Sequence, residues 1–346
     1  MTQRQLILLC AASLVVLVLA VWVTHREQSS GASLAGVTVL TGLQNNLNAV
    51  TAVRITGPHG QHVTLVKGAQ HWMVSERGYP ADSGTLRKLL IDLGNLKVVE
   101  PKTRLAQNYP ILGVQPVSAP GATGVRIDIK SPRHTWSLIV GHSAEGSQCY
   151  VRRAGHKQSL LATPLILADA KPAQWLDPII VDVGAQRVRR VEERLAGQRP
   201  YRIERTKATQ SDFTVIGMPR GRKLASPSAA DTIASALSNL TLTNVHKAVG
   251  APQDARVSNA VFTTFDGLEL TVSGYRDGKN GPYDIDVVAH ASGTQPAAEA
   301  KRINADVQGW TYEIPPYAYQ QIFQPLSGLL QPLPVPYHRG KRHRAA

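Results

Sequence analysis

Between Val53 and Ala289 the chain runs through one series of patterned segments twice, and this repetition restricts the fold more than any single motif does. The first copy opens with the strand-like runs VRITG and HVTLVK, reaches His71-Trp72-Met73-Val74, and turns at Tyr79-Pro80-Ala81-Asp82. Leu86, Leu89, Leu90, Leu93 and Leu96 then recur at steps of three and four. That spacing places them on one face of an amphipathic helix, with Asp82 or Ser83 as its N-cap. Alternating runs at 125–130 and 136–140 suit half-buried strands, and a Gly-bounded loop from Gly141 to Gly146 leads into Cys149-Tyr150-Val151-Arg152-Arg153.

The second copy starts near Val188 with RRVEER and passes through Tyr201-Arg202-Ile203-Glu204 and 212–216. It turns at Ser226-Pro227-Ser228 and places Ile233, Leu237 and Leu240 on a helix of its own. Leu93-Gly94-Asn95-Leu96-Lys97-Val98 is answered there by Leu237-Ser238-Asn239-Leu240-Thr241-Leu242, and strands are expected again at 268–273 and 283–289. Each copy thus offers antiparallel strands with one apolar face and a single amphipathic helix to cover it, an α+β arrangement. The expected organisation is a stub at 1–5, an apolar span at 6–23, a linker at 24–48, modules at 49–180 and 181–330, and a basic, Pro-rich disordered tail at 331–346.

The stretch from Leu6 to Val23 carries no charge, and as a helix it would be about 27 Å long, near the hydrocarbon thickness of a bilayer. It is longer than the apolar region of a cleaved signal and no small-residue cleavage site follows closely, so it reads as a retained transmembrane signal anchor. Arg4 before the span and the sparse cations after it predict a single-pass inner-membrane protein with its body in the periplasm. A net charge of +14 would point to nucleic acid in a cytosolic protein. In an exported body it points instead to an anionic envelope component, and no nucleic-acid partner is expected. Cys10 lies in the span, which leaves Cys149 alone in the body as a buried small hydrophobe without a disulfide partner.

Catalytic signatures fail one after another. Gly141-His142-Ser143-Ala144-Glu145 lacks the second glycine of a nucleophile elbow, and Gly274 to Asn280 is one residue short of a P-loop and ends without Ser or Thr. The histidines, including His59, His62 and His71, show no metal-ligand spacing, and Asp128, Asp284 and Asp286 alternate with apolar residues as solvent-facing strand positions do. No catalytic residue, metal ligand or cofactor is expected, and the chain reads as a non-enzyme. Aromatic residues clustered before the tail, Trp310, Tyr312, Tyr317, Tyr319 and Phe323, form the candidate partner surface, because such residues are enriched at interface hot spots.

A series of short motifs, Trp72-x-Val74, Pro80-Ala81-Asp82, Gly141 at a strand end before Tyr150-Val151-Arg152, and Trp175-Leu176-Asp177, resembles an uncharacterised bacterial family over most of residues 50 to 325. That family is one of unknown function whose genes lie beside gliding-motility-type ABC transporter genes. The resemblance implies a periplasm-facing, non-catalytic accessory or scaffold that docks on an ABC permease or ATPase complex, with these motif residues serving the structure. Envelope-polymer or anionic-ligand binding is the alternative, and a periplasmic hydrolase a second alternative with no motif behind it.

Overall fold

A computed structural model of the chain describes residues 34–252, 255–276, 278 and 280–332. The stub, the apolar span at 6–23 and the tail from 333 onward lie outside the described residues. Among the described residues, no helix is long and apolar enough to cross a membrane, so the transmembrane, signal-anchor and inner-membrane expectations find no support there. The longest helix there, Ser83–Gly94, has 12 residues and reaches only about 18 Å.

The α+β expectation is corrected as well, since strand makes up 36% and helix 21% of a mostly β structure with large antiparallel sheets. The chain divides into two compact units, with Asp177 ending the first and Pro178 beginning the second. The first unit contains β1 (Ala52–Thr56), β2 (His62–Lys67), β3 (Trp72–Val74), β4 (Tyr79–Pro80), β5 (Lys97–Pro101), β6 (Val125–Lys130), β7 (Thr135–Ala144), β8 (Gln148–Arg153) and β9 (Ser159–Thr163). They form a nine-stranded sheet in the order β4-β3-β2-β1-β6-β7-β8-β9-β5.

The second unit contains β10 (Ile179–Val181), β11 (Val188–Arg194), β12 (Tyr201–Glu204), β13 (Thr214–Ile216), β14 (Leu240–Thr241), β15 (Asn244–Lys247), β16 (Ser258–Thr264), β17 (Leu268–Arg276), β18 (Tyr283–Ala291) and β19 (Trp310–Ile314). Eight of these form a sheet in the order β13-β12-β11-β16-β17-β18-β19-β15. Apart from β4, the two large sheets follow one strand order.

The helices explain why the α+β reading fails. In the first unit Ser83–Gly94 buries Leu86, Leu89, Leu90 and Leu93, while Leu96 lies beyond its end and is buried just before β5. In the second, the helix expected over Ile233, Leu237 and Leu240 is reduced to the single turn Asp231–Ala234. Leu237 is buried past that turn, Asn239 adopts a left-handed φ of 54°, and Leu240 belongs to β14. Ser and Asn compete with helical hydrogen bonding through their own side chains, so the run from Ser226 to Asn239 does not extend the helix. A helix the sequence reading passed over, Ala297–Val307, is rich in alanine and packs against β18. Asn304 fastens it there by donating to the Ala289 carbonyl at 2.7 Å and accepting from the Ala289 N–H at 2.8 Å.

Candidate functional site

Two of the short motifs, far apart in sequence, meet in the first unit. The Ala81 N–H donates to the Trp72 carbonyl at 2.8 Å, which closes the β3–β4 corner. From that corner the Asp82 N–H donates to the Trp175 carbonyl at 2.8 Å, and the Asp177 N–H returns to the Pro80 carbonyl at 2.9 Å. Ala81 and Leu176 pair between these two bonds as an antiparallel bridge. Val74, Trp175 and Leu176 are buried, and Trp72 and Pro80 are half-buried. The indole N–H of Trp175 donates to the Asp169 carbonyl at 2.8 Å, so the polar edge of its ring is satisfied inside the fold.

Asp82 also starts the helix. Its carboxylate accepts the Gly84 and Thr85 N–H groups at 2.9 and 3.0 Å and the Thr85 hydroxyl at 2.6 Å. Partial burial works to raise its pKa, but the Thr85 hydroxyl and the two N–H donors together outweigh it and hold the carboxyl below its ordinary value.

Beside this clamp lies a cavity of about 450 Å³ whose walls include Thr85, Gly124, Gly141, Leu167, Asp169 and Trp175. Gly141 is fixed by close backbone approach. A Cβ there would fall 2.1 Å from the Leu112 carbonyl oxygen, and one on Gly124 would fall 2.2 Å from that of Gly113. The adjacent His142 ring meets the Thr123 hydroxyl at 2.9 Å and the Ile111 carbonyl at 3.3 Å. Leu167, in the wall of this cavity, is 77% exposed, and Ile111, whose carbonyl faces His142, is 73% exposed.

Arg152 is buried without a carboxylate partner. Its Nε donates to the Val114 carbonyl at 2.8 Å, an Nη donates to the His156 carbonyl at 2.9 Å, and the guanidinium sits 4.5 Å above the Tyr109 ring. Burial pulls its pKa down, and the neighbouring Tyr109 only partly offsets that. Tyr150 packs half-buried on the same cluster, against Tyr109, Val114 and Ile139.

The five C-terminal aromatics do not share one surface. Tyr312 is wholly buried and Phe323 nearly so, whereas Tyr317 is 68% exposed. Tyr319 stacks between Tyr283 and Phe323, with ring centroids 4.8 and 4.6 Å apart, and this packing closes over Gly274, where a Cβ would lie 2.1 Å from the Phe323 ring. Trp310, half-buried on β19, carries the Lys247 ammonium 3.5 Å from its ring centroid.

Three acidic readings change. Asp284 is buried rather than solvent-facing, whereas Asp128 and Asp286 are half-buried. Glu193, which the sequence reading passed over, has no exposure, and neither of its carboxyl oxygens has a hydrogen-bond partner. Burial alone pushes its pKa up to about 9, so at neutral pH it is a buried carboxylic acid. Cys149 is buried, and its thiol is pushed up by that burial. No group of three or more His, Cys, Asp or Glu side chains placed to hold a metal occurs among the described residues.

The fold and the clamp define a protein with one large antiparallel sheet in each unit, whose short motifs are consumed in backbone architecture. The chain belongs to a family described as a domain of unknown function, DUF4340, whose sequence profile matches residues 72–259. That match takes in Trp72, the corner at Pro80, Gly141, Arg152 and the Trp175 segment. No curated protein and no solved structure matches the chain.

Proposed function

We propose that the chain is a non-catalytic, periplasm-facing accessory or scaffold protein of an ABC-type transport system. The reading rests on the motif series that resembles the family found beside such transporters, and on one structural observation. The motif residues are spent on the clamp between the Pro80 corner and the Trp175 segment, while Leu167 stands exposed in the wall of the adjoining cavity and Ile111 is exposed as well. Large exposed apolar side chains are what a protein partner covers.

The test is affinity purification of the full chain in mild detergent, comparing the parent with Ile111→Asp and Leu167→Asp. Both positions are solvent-exposed, so the substitutions leave the fold intact. Permease or ATPase subunits should co-purify with the parent and fall at least fivefold with the variants. Repeated recovery of the chain alone sinks the proposal.

A further inference from the structure

A second cavity in the first unit, of about 490 Å³, carries charge of one sign. Its rim holds Arg104, Arg153, His156 and Lys157, and no carboxylate lines it. Thr38, Thr41 and Gln158 add neutral polar groups, and apolar side chains supply the rest of the wall, with Val98 and Leu160 buried and Val37 47% exposed. Glu100, on the strand that carries Val98, is already paired with Lys102 at 2.8 Å.

The walls are held in place before anything binds. Arg152 and Tyr109 reach from below to the turn that displays the cations, through an Nη of Arg152 to the His156 carbonyl at 2.9 Å and the Tyr109 hydroxyl to the Lys157 carbonyl at 2.5 Å. Arg104 is steadied by the Gln158 side-chain oxygen at 2.6 Å, and the Ser159 hydroxyl donates to the Thr103 carbonyl at 2.8 Å. Across the cavity, Gly36 N–H to the Val98 carbonyl at 2.8 Å and Val98 N–H to the Val37 carbonyl at 2.9 Å tie the facing segment to β5. Pre-organised walls lower the entropic cost of holding a ligand.

The geometry points to a binding site for an anionic amphiphile, with a carboxylate or phosphate head among Arg104, Arg153, His156 and Lys157 and an alkyl chain against Val37, Val98 and Leu160. Guanidinium and ammonium groups bind such oxyanions through charge-assisted hydrogen bonds, and the size of the cavity is that of a small-molecule site. The inference goes beyond the transport reading, since neither the clamp nor a transporter subunit enters it. It also uses other residues than the candidate partner surface around Trp310.

Calorimetric titration of the full chain tests it with decanoate, decyl phosphate, decanol and acetate below their aggregation limits, alongside phosphatidylglycerol vesicles. Decanoate or decyl phosphate should bind, and the tighter of the two names the head group. Decanol and acetate should bind at least tenfold more weakly, and Arg153→Ser with Lys157→Ser should weaken the anionic probes at least tenfold without altering the melting temperature. Val37→Asp, at an exposed wall position, should do the same. Decanol binding as tightly as decanoate, anionic binding untouched by these substitutions, or capture by vesicles without binding of either monomer would overturn the proposal. Failure to recover transporter subunits bears on none of these titrations, so the two proposals fail separately.

Discussion

Glu193 on β11 stands directly across the strand pair from Tyr201 on β12, and both side chains are buried. The Tyr201 hydroxyl donates to the Gln324 carbonyl and leaves the Glu193 carboxyl unpartnered. With a folded pKa of about 9 against an ordinary 4.5, the folded chain keeps a proton that the unfolded chain releases. Stability therefore falls as pH rises from about 4.5 toward 9, by at most about 1.4 kcal/mol per pH unit. Glu193→Gln should be more stable than the parent by a few kcal/mol at pH 8 and indistinguishable from it near pH 4. Urea midpoints across that range read the difference, and parallel pH curves for the two proteins would contradict it.

Asp82 works with the opposite sign. Its pKa is held below the ordinary 3.8, so its contribution is present above that pH and is lost as pH falls through the folded value. Asp82→Ala should cost about 1 kcal/mol at pH 7, and Asp82→Asn much less, because the amide oxygen still caps the helix. Thermal melts of the two variants decide the matter.

Gly141→Ala places a methyl group 2.1 Å from the Leu112 carbonyl oxygen, a backbone atom with little room to move. A loss of roughly 1–3 kcal/mol is expected, as for overpacked cores. A variant that melts with the parent would show that the 112–113 turn yields freely.

Arg152→Met removes two charge-assisted donors from the Val114 and His156 carbonyls and should cost about 3 kcal/mol. Because Arg152 is a positioning residue for the turn that carries His156 and Lys157, the variant should also bind decanoate more weakly while remaining folded at low temperature. Unchanged binding in a folded variant would separate the turn from the cationic cavity.

Much of the first unit is legible along the chain. Leucines at helical spacing and an acidic cap residue are local signals, and the helix Ser83–Gly94 follows them. Alternation in VRIDIK is equally local and matches β6. The second helix is not legible in the same way, because Ile233, Leu237 and Leu240 keep helical spacing while three different local structures hold them. Of the candidate site, the motif phrases could be read, but their meeting could not. Nothing near Pro80 says that its carbonyl will receive the Asp177 N–H, and the cations at 153–157 and Arg104 are ordinary surface residues until a turn and two strands bring them around one cavity.

By itself the sequence determined several of the strands, where the Leu86 helix begins, and that the chain carries a large cationic excess, since periodicity, capping and charge are carried by neighbours in the chain. Tertiary structure decided which side chains of those strands are inside. In β11 an extra residue at Arg189 shifts the pairing with β16, so that Val188, Val191 and Glu193 share the buried face across a bulge. A bulge reverses the alternation beyond it and leaves no mark in RRVEER, which is why a buried carboxylic acid could be found only in the folded chain.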